Sequence, residues 1–220
     1  MRNFALSPAI RRRHDDSDQN GRPTGGSAVT QTSGVTTQQE LTGEYDVDPA
    51  HSRIGFVARH AMVSKVRGHF SNFRGRAYLD FSDPTKSSAE LVVDIPSIDT
   101  GNADRDAHLR ANDFFDAQNH SQMTFRSTQV DIQGDDSYQM TGDLTLKGRT
   151  RPVTIDWEYL GSAKDPFGNT RVGFSGRATI NRRDWGVEWN APLETGGVLV
   201  GDKVQLELEV SAIKASSGTD

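Results

Sequence analysis

From Leu41 on, apolar and polar side chains alternate almost without interruption, a period of two that suits half-buried strands and that no helix can carry. "YQMTGDLTLKG" sets Tyr138, Met140, Gly142, Leu144 and Leu146 on one face. "RPVTIDWEYLG" does the same with Val153, Ile155, Trp157 and Tyr159. The segment "KGRTR" between them, with Gly148, reads as the turn of an antiparallel hairpin. "TRVGFSGRATINR" follows with Val172, Phe174, Gly176, Ala178 and Ile180, and "GDKVQLELEVSAIK" with Val204, Leu206, Leu208, Val210 and Ala212. The first half repeats the pattern: "HSRIGFVARHA" carries Ile54, Phe56 and Ala58, "VRGHFSNFRGRAYLDF" is long and glycine-interrupted, and "SSAELVVDIPSI" holds Leu91, Val93 and Ile95. With "GEYDVD" and "QMTFRSTQVDIQ" the total is roughly eight or nine strands, mostly antiparallel by connection length.

That number suits a closed barrel or a sandwich, and glycine favours the barrel. Gly55, Gly68, Gly75, Gly142, Gly173 and Gly176 interrupt strand patterns, where glycine marks a bulge, a sharp coil or a close backbone approach, and barrels need such kinks to close. Eight strands enclose a space that side chains either fill or surround as one small-ligand cavity. One segment departs from period two. Ala103, Ala107, Ala111, Phe114 and Phe115 recur at spacings of three and four, with Asn102 as N-cap and Asp104 and Asp106 in the first turn. This predicts a short amphipathic helix whose apolar stripe closes or flanks the barrel.

A formal charge of -5 and a pI near 5.7 oppose nonspecific binding to nucleic acid or to an anionic membrane. The absence of cysteine removes disulfides and thiolate chemistry. No apolar run approaches the roughly 18 to 20 residues that a bilayer-spanning helix needs. Arg11, Arg12 and Arg13 are followed by polar sequence rather than an apolar signal region, so the expected location is cytoplasmic. Residues 1–40, rich in Gly, Ser, Thr and Gln, are expected to be a disordered tail, with one domain over 41–214 and a flexible end over 215–220.

Five segments in order, "YDVDPAHSRIGFVARH" (45–60), "VRGHFSNFRG" (66–75), "DRDAHLRANDFFD" (104–116), "GDLTLKGRTRPV" (142–153) and "INRRDWG" (180–186), resemble the YceI-like proteins, also called polyisoprenoid-binding or lipocalin-like lipid-binding domains. The resemblance implies an extended eight-stranded antiparallel barrel with a long apolar interior that holds an isoprenoid or another amphiphilic chain. It implies no enzymatic reaction and no cofactor other than a bound polyisoprenoid or isoprenoid quinone as ligand.

Candidates for chemistry are few. His51, His60 and His69 recur nine apart, an odd spacing that turns strand side chains to opposite faces, so no metal site is expected. His60 shares parity with Ile54, Phe56 and Ala58 and would stand at one end of an inward face. Asp104 and Arg105 can each reach His108 on a helix, a pattern that suits tethering better than catalysis in the absence of a nucleophile. Trp185 and Trp189, beside Arg182 and Arg183, read as a loop covering a barrel mouth, with Arg183 as a headgroup contact. The expected function is binding, sequestration or transport of a polyisoprenoid, an isoprenoid quinone or a fatty amide. The expected ligand contacts are Phe56, His60, Phe70, Leu91, Phe114, Phe115, Phe125, Leu144, Trp157, Phe174, Arg183 and Trp185. The alternatives are a lipid- or isoprenoid-modifying enzyme using His60 or His108, and a ligand-free structural or stress-related barrel filled by its own side chains. A closed barrel leaves no strand edge to pair, so a homodimer would use loops or outer faces.

Overall fold

The computed structural model describes residues 37–194 and 196–216. Most of the expected tail, 1–36, and the last four residues of the expected flexible end lie outside them. Thr37 opens the described chain as the N-cap of α1 (Gln38–Leu41), in a capping box with Glu40 that satisfies two helix-start donors. Regular structure is therefore already present before Leu41. Among the described residues no helix is long and apolar enough to cross a membrane.

Eleven strand segments make eight barrel staves because three staves are broken in two. β1 (Gly43–Val47) and β2 (Arg53–His60) lie end to end along β11 (Val200–Lys214). β3 (Ser64–Phe70) and β4 (Phe73–Leu79) lie end to end along them in turn. β5 (Ser88–Asp94) and the two-residue β6 (Ile98–Asp99) pair with β4 and β3. Pro49 and Pro96 sit in short 3-10 turns at two of the breaks, where a residue without an N–H cannot continue a ladder. At the third break, Ser71 and Asn72 are tied to Ser97 by backbone and hydroxyl hydrogen bonds.

β7 (Gln122–Ile132), β8 (Ser137–Leu146), β9 (Arg149–Lys164) and β10 (Thr170–Asn181) complete an all-antiparallel ring, and the pairing of β1 with β11 closes it. This is the eight-stranded antiparallel barrel the alternation predicts. The inward faces read from the sequence meet across the ladders: Tyr138 opposite Trp157, Met140 opposite Ile155, Gly176 opposite Leu208, Val172 opposite Ala212. The β8–β9 turn is two residues, Lys147 and Gly148, both at positive φ, which is the geometry of a tight hairpin turn.

The helix needs correction. α2 spans Ala103–Arg110, with Asn102 accepting from the Arg105 amide, and stops before the Phe-Phe pair because Ala111 is extended. Ala103 and Ala107 are exposed, so the alanine stripe does not face the barrel. Hydrogen bonds hold the helix instead. Buried Asp106 accepts from the Thr100 amide and hydroxyl, Arg105 donates to the Thr100 hydroxyl and carbonyl, and Arg110 donates to the Pro96 and Ile98 carbonyls.

Buried apolar residues form two groups. The larger packs the α2 end with Ile95, Ile98, Phe114, Leu146, Trp185 and Val187 and runs on up the barrel wall through Ile54, Phe125, Leu144 and Ile155. The smaller, Tyr45, Val172 and Ala212 with Leu79, Phe81, Tyr159 and Phe174 packed on it, lies toward the other end.

Candidate functional site

Between these two groups the barrel keeps an apolar cavity of about 200 Å³. An engineered cavity of about 150 Å³ lined by Leu, Ile and Phe stays dry and takes up benzene, so this volume suits an apolar guest. The wall comes from inward positions on every stave: Ile54 and Phe56, Phe70, Leu91, Phe125, Met140 and Leu144, Ile155 and Trp157, Phe174 and Ile180, Leu206 and Leu208. Toward the mouth, Asp80, Phe81, Pro84 and Ser87 of the β4–β5 connection join the lining. The α2 end is the floor.

Two features keep the wall apolar and the lumen open. Charged residues at the rim spend their charge elsewhere: Arg76 pairs with Asp46, Glu90 with Arg126, and Asp80 accepts from the Ser82 and Asp83 amides. Tyr138 donates its hydroxyl to the Asp135 carbonyl; burial, helped by the Asp136 carboxylate, raises its pKa and keeps the phenol neutral. The aromatic rings also lie along the wall. Phe81, Tyr159, Phe174 and Trp157 form a chain of edge and tilted contacts with centroids 5.4, 5.3 and 6.4 Å apart. One polar atom in this wall, Trp157 Nε1, is buried without a hydrogen-bond partner among the described residues.

The expected contacts divide cleanly. Phe56, Phe70, Leu91, Phe125, Leu144, Trp157 and Phe174 line the cavity, whereas His60, Phe114, Phe115, Arg183 and Trp185 do not. Phe114 and Trp185 are buried in the floor, where Trp185 Nε1 donates to the Leu144 carbonyl (2.9 Å) and Lys147 Nζ donates to the Phe114 (2.7 Å) and Gly186 (3.3 Å) carbonyls. Phe115 stands edge-on to Phe70. The tryptophan loop thus seals the closed end and does not cover the mouth.

Its organiser is Arg182. The buried guanidinium donates to the carbonyls of Val187, Trp189, Val200 and Gly201 and to Asp202, while its neighbour Arg183 is exposed beside Asp202. The sequence distinguishes Arg182 from Arg183 only through the turn that Asn181 caps.

The histidines are also scattered. His60 is exposed at the end of β2, His51 contacts Asp48 (2.7 Å), and His69 lies near Arg53. His108 contacts Asp113 rather than Asp104 or Arg105, and stacks edge-on between Phe114 and Trp189. Neither His60 nor His108 lines the cavity. Mouth residues Phe81 and Tyr159, and wall residues Met123 and Val130, were not among the contacts expected from sequence. Tyr159 alone carried a signal, its parity with Trp157.

A UPF0312 protein of Staphylococcus epidermidis is 41% identical over 165 residues, spanning 74% of this chain and 94% of its own length. A UPF0312 protein of Pseudomonas paraeruginosa is 35% identical over 181 residues, spanning 81% and 91%. Among solved structures, BcnA of Burkholderia cenocepacia superposes with a TM-score of 0.67 at 27% identity, over 75% of this chain and 98% of its own. A YceI protein of Campylobacter jejuni gives 0.63 at 28%, over 72% and 90%. A polyisoprenoid-binding domain of Saccharophagus degradans gives 0.56 at 17% identity, over 78% and 98%, and shares the fold. The model of the YceI-like domain matches residues 45–212, from within β1 to within the closing strand β11, and the chain belongs to that family.

Proposed function

We propose that the barrel binds and carries a long-chain amphiphilic lipid of the isoprenoid type, with the chain in the lumen and its polar end toward the β4–β5 connection. The observation that carries this reading is the apolar, aromatic-lined cavity inside an otherwise close-packed barrel. A barrel under selection for stability alone would fill such a space, because packing it gains contacts and an unfilled apolar cavity is costly. The fold neighbour from Saccharophagus degradans is named for polyisoprenoid binding, which agrees with the reading at the level of fold.

The unpartnered Trp157 N–H refines the ligand class. A buried donor without an acceptor is costly, and a carbonyl oxygen on the guest would satisfy it. That favours an isoprenoid quinone or a fatty amide over a bare hydrocarbon. Native mass spectrometry of freshly purified protein, followed by solvent extraction, tests the proposal. A stoichiometric long-chain lipid is the expected result. Delipidated protein that refuses prenyl chains in titration would overturn it in favour of a barrel that works without a ligand.

A further inference from the structure

The net charge of -5 hides one strongly basic element. The β2–β3 hairpin, residues 53–70, carries Arg53, Arg59, Lys65 and Arg67 and no acidic residue. All four are exposed, and among the described residues Arg59, Lys65 and Arg67 have no carboxylate within salt-bridge distance. Arg59 stands directly opposite Lys65 in the ladder, and like charges facing each other across strands destabilise the pair.

The turn between the strands is equally unusual. Ala61 and Met62 both adopt positive φ (48° and 63°), the conformation of a tight hairpin turn that favours Asn and Gly, and here it presents apolar side chains to solvent. Val63 is 86% exposed and Met62 52%. The tip is braced against the loop before β11: the Ala61 amide donates to the Leu199 carbonyl (2.7 Å), Met62 lies against Gly197, and Val198 is also exposed beside it. Two carboxylates, Glu188 and Glu194, lie in that loop.

Protection of a sheet edge explains only part of this. Among the described residues β3 pairs with β6 at His69 and Phe70 alone, so, contrary to the expectation that closure leaves no strand edge, Ser64 to Gly68 form an open edge, and Lys65 and Arg67 would discourage a second chain from pairing there. Edge protection does not account for Arg59, which lies on the inner strand of the hairpin, nor for an exposed apolar tip. Basic side chains flanking a projecting apolar tip match a surface that is anionic outside and apolar beneath, which is the structure of a lipid headgroup layer. Nucleic acid would use the charges but not Met62 and Val63.

We propose that the β2–β3 hairpin docks the protein on an anionic membrane surface, with Met62 and Val63 entering the headgroup layer and Arg59, Lys65 and Arg67 facing lipid phosphates. The tip is at the floor end, so the docked barrel stands with the mouth of its cavity toward solution. Docking uses no cavity residue and can be read with the lumen empty or filled, so it fails or succeeds separately from the carrier reading.

The test is flotation of the full chain with vesicles of phosphatidylcholine alone and of equal parts phosphatidylcholine and phosphatidylglycerol. Binding only to the anionic vesicles, weakening with added salt, is expected, with each basic side chain contributing about a fivefold tighter partition. Val63→Asp should cut that partition about tenfold or more at unchanged melting temperature. Lys65→Glu separates docking from folding, because it turns the like pair with Arg59 into an opposite pair: partition should fall while the melting temperature holds or rises. Equal partition on neutral and anionic vesicles, or partition insensitive to both substitutions, would overturn the proposal. So would tighter binding to single-stranded DNA than to anionic vesicles with Val63→Asp indifferent, which would assign the charges to a nucleic acid.

Discussion

A Cβ placed on Gly176 would lie 2.6 Å from the Trp157 ring, and one on Gly142 would lie 2.4 Å from the ring of Phe125. In both cases a large aromatic lies flat over a glycine on the next strand, and the missing side chain is what lets the ring lie along the wall rather than stand into the lumen. At Gly142 the Arg126 carbonyl is also close (2.5 Å), so a side chain there would disturb the backbone, whereas at Gly176 the near atoms all belong to Trp157. Gly176→Val is therefore the cleaner probe. It should leave the barrel folded, since a β-branched residue suits a strand, and turn the indole inward. Displacing about two or three methylenes of guest at about 0.8 kcal/mol each costs about 2 kcal/mol, roughly thirtyfold in affinity. Titration of delipidated wild-type and variant protein with one prenyl ligand measures this. Equal affinities would mean that the ring does not bound the occupied space.

At the scale of elements, the β9–β10 hairpin is clipped to the β1–β2 corner by charge. Arg171 reaches Asp48 (2.6 Å) and Asp165 (2.9 Å), and Asp165 also accepts from Asn169 and from the Phe167 amide. Hydrogen bonds from Asn169, with Arg171 beside it, hold the Asp165 pKa down at about 2, and Arg171 lowers that of Asp48. Both folded pKa values lie below the unfolded value near 3.9, so their stabilisation is fully present above about pH 4 and is lost as pH falls toward 2. Asp165→Asn should thus melt lower than wild type at pH 7, with the difference shrinking between about pH 4 and 2. Thermal melts across that range decide it, and parallel curves would remove Asp165 from the acid response. The long-range half of this clip was not visible in the sequence, because Asp48 meets Arg171 only once the barrel has closed. The strand faces were legible because period two survives in Val153, Ile155 and Trp157 whatever the neighbours are. The helix face was not, because hydrogen bonds through Asp106, Arg105 and Arg110 oriented α2 where the alanine spacing suggested packing.

For the whole molecule, the same contrast separates the two ends of the barrel. Wall residues such as Phe125, Leu144 and Trp157 were readable because strand parity decides which way they point. Phe114 and Trp185 belong to connections whose direction is set by long-range hydrogen bonds to Leu144 and Lys147, so residues that looked like ligand contacts are the floor. A floor makes the lumen blind. A guest entering under the β4–β5 connection can bury carbon atoms only until its tail meets that layer, and further length must remain in water. Each buried methylene contributes about 0.8 kcal/mol before ordering costs. Affinity for prenyl alcohols should therefore tighten about tenfold or more per isoprene unit at first, then level off at a defined length. Quenching of tryptophan fluorescence in wild-type protein, where Trp157 is the tryptophan that lines the cavity, would follow the series. Affinity that ignores length from the shortest alcohol upward would place recognition in the headgroup. Affinity that climbs without a break would mean that the floor opens, and the rings of Phe114 and Trp185 would then be a gate rather than a wall.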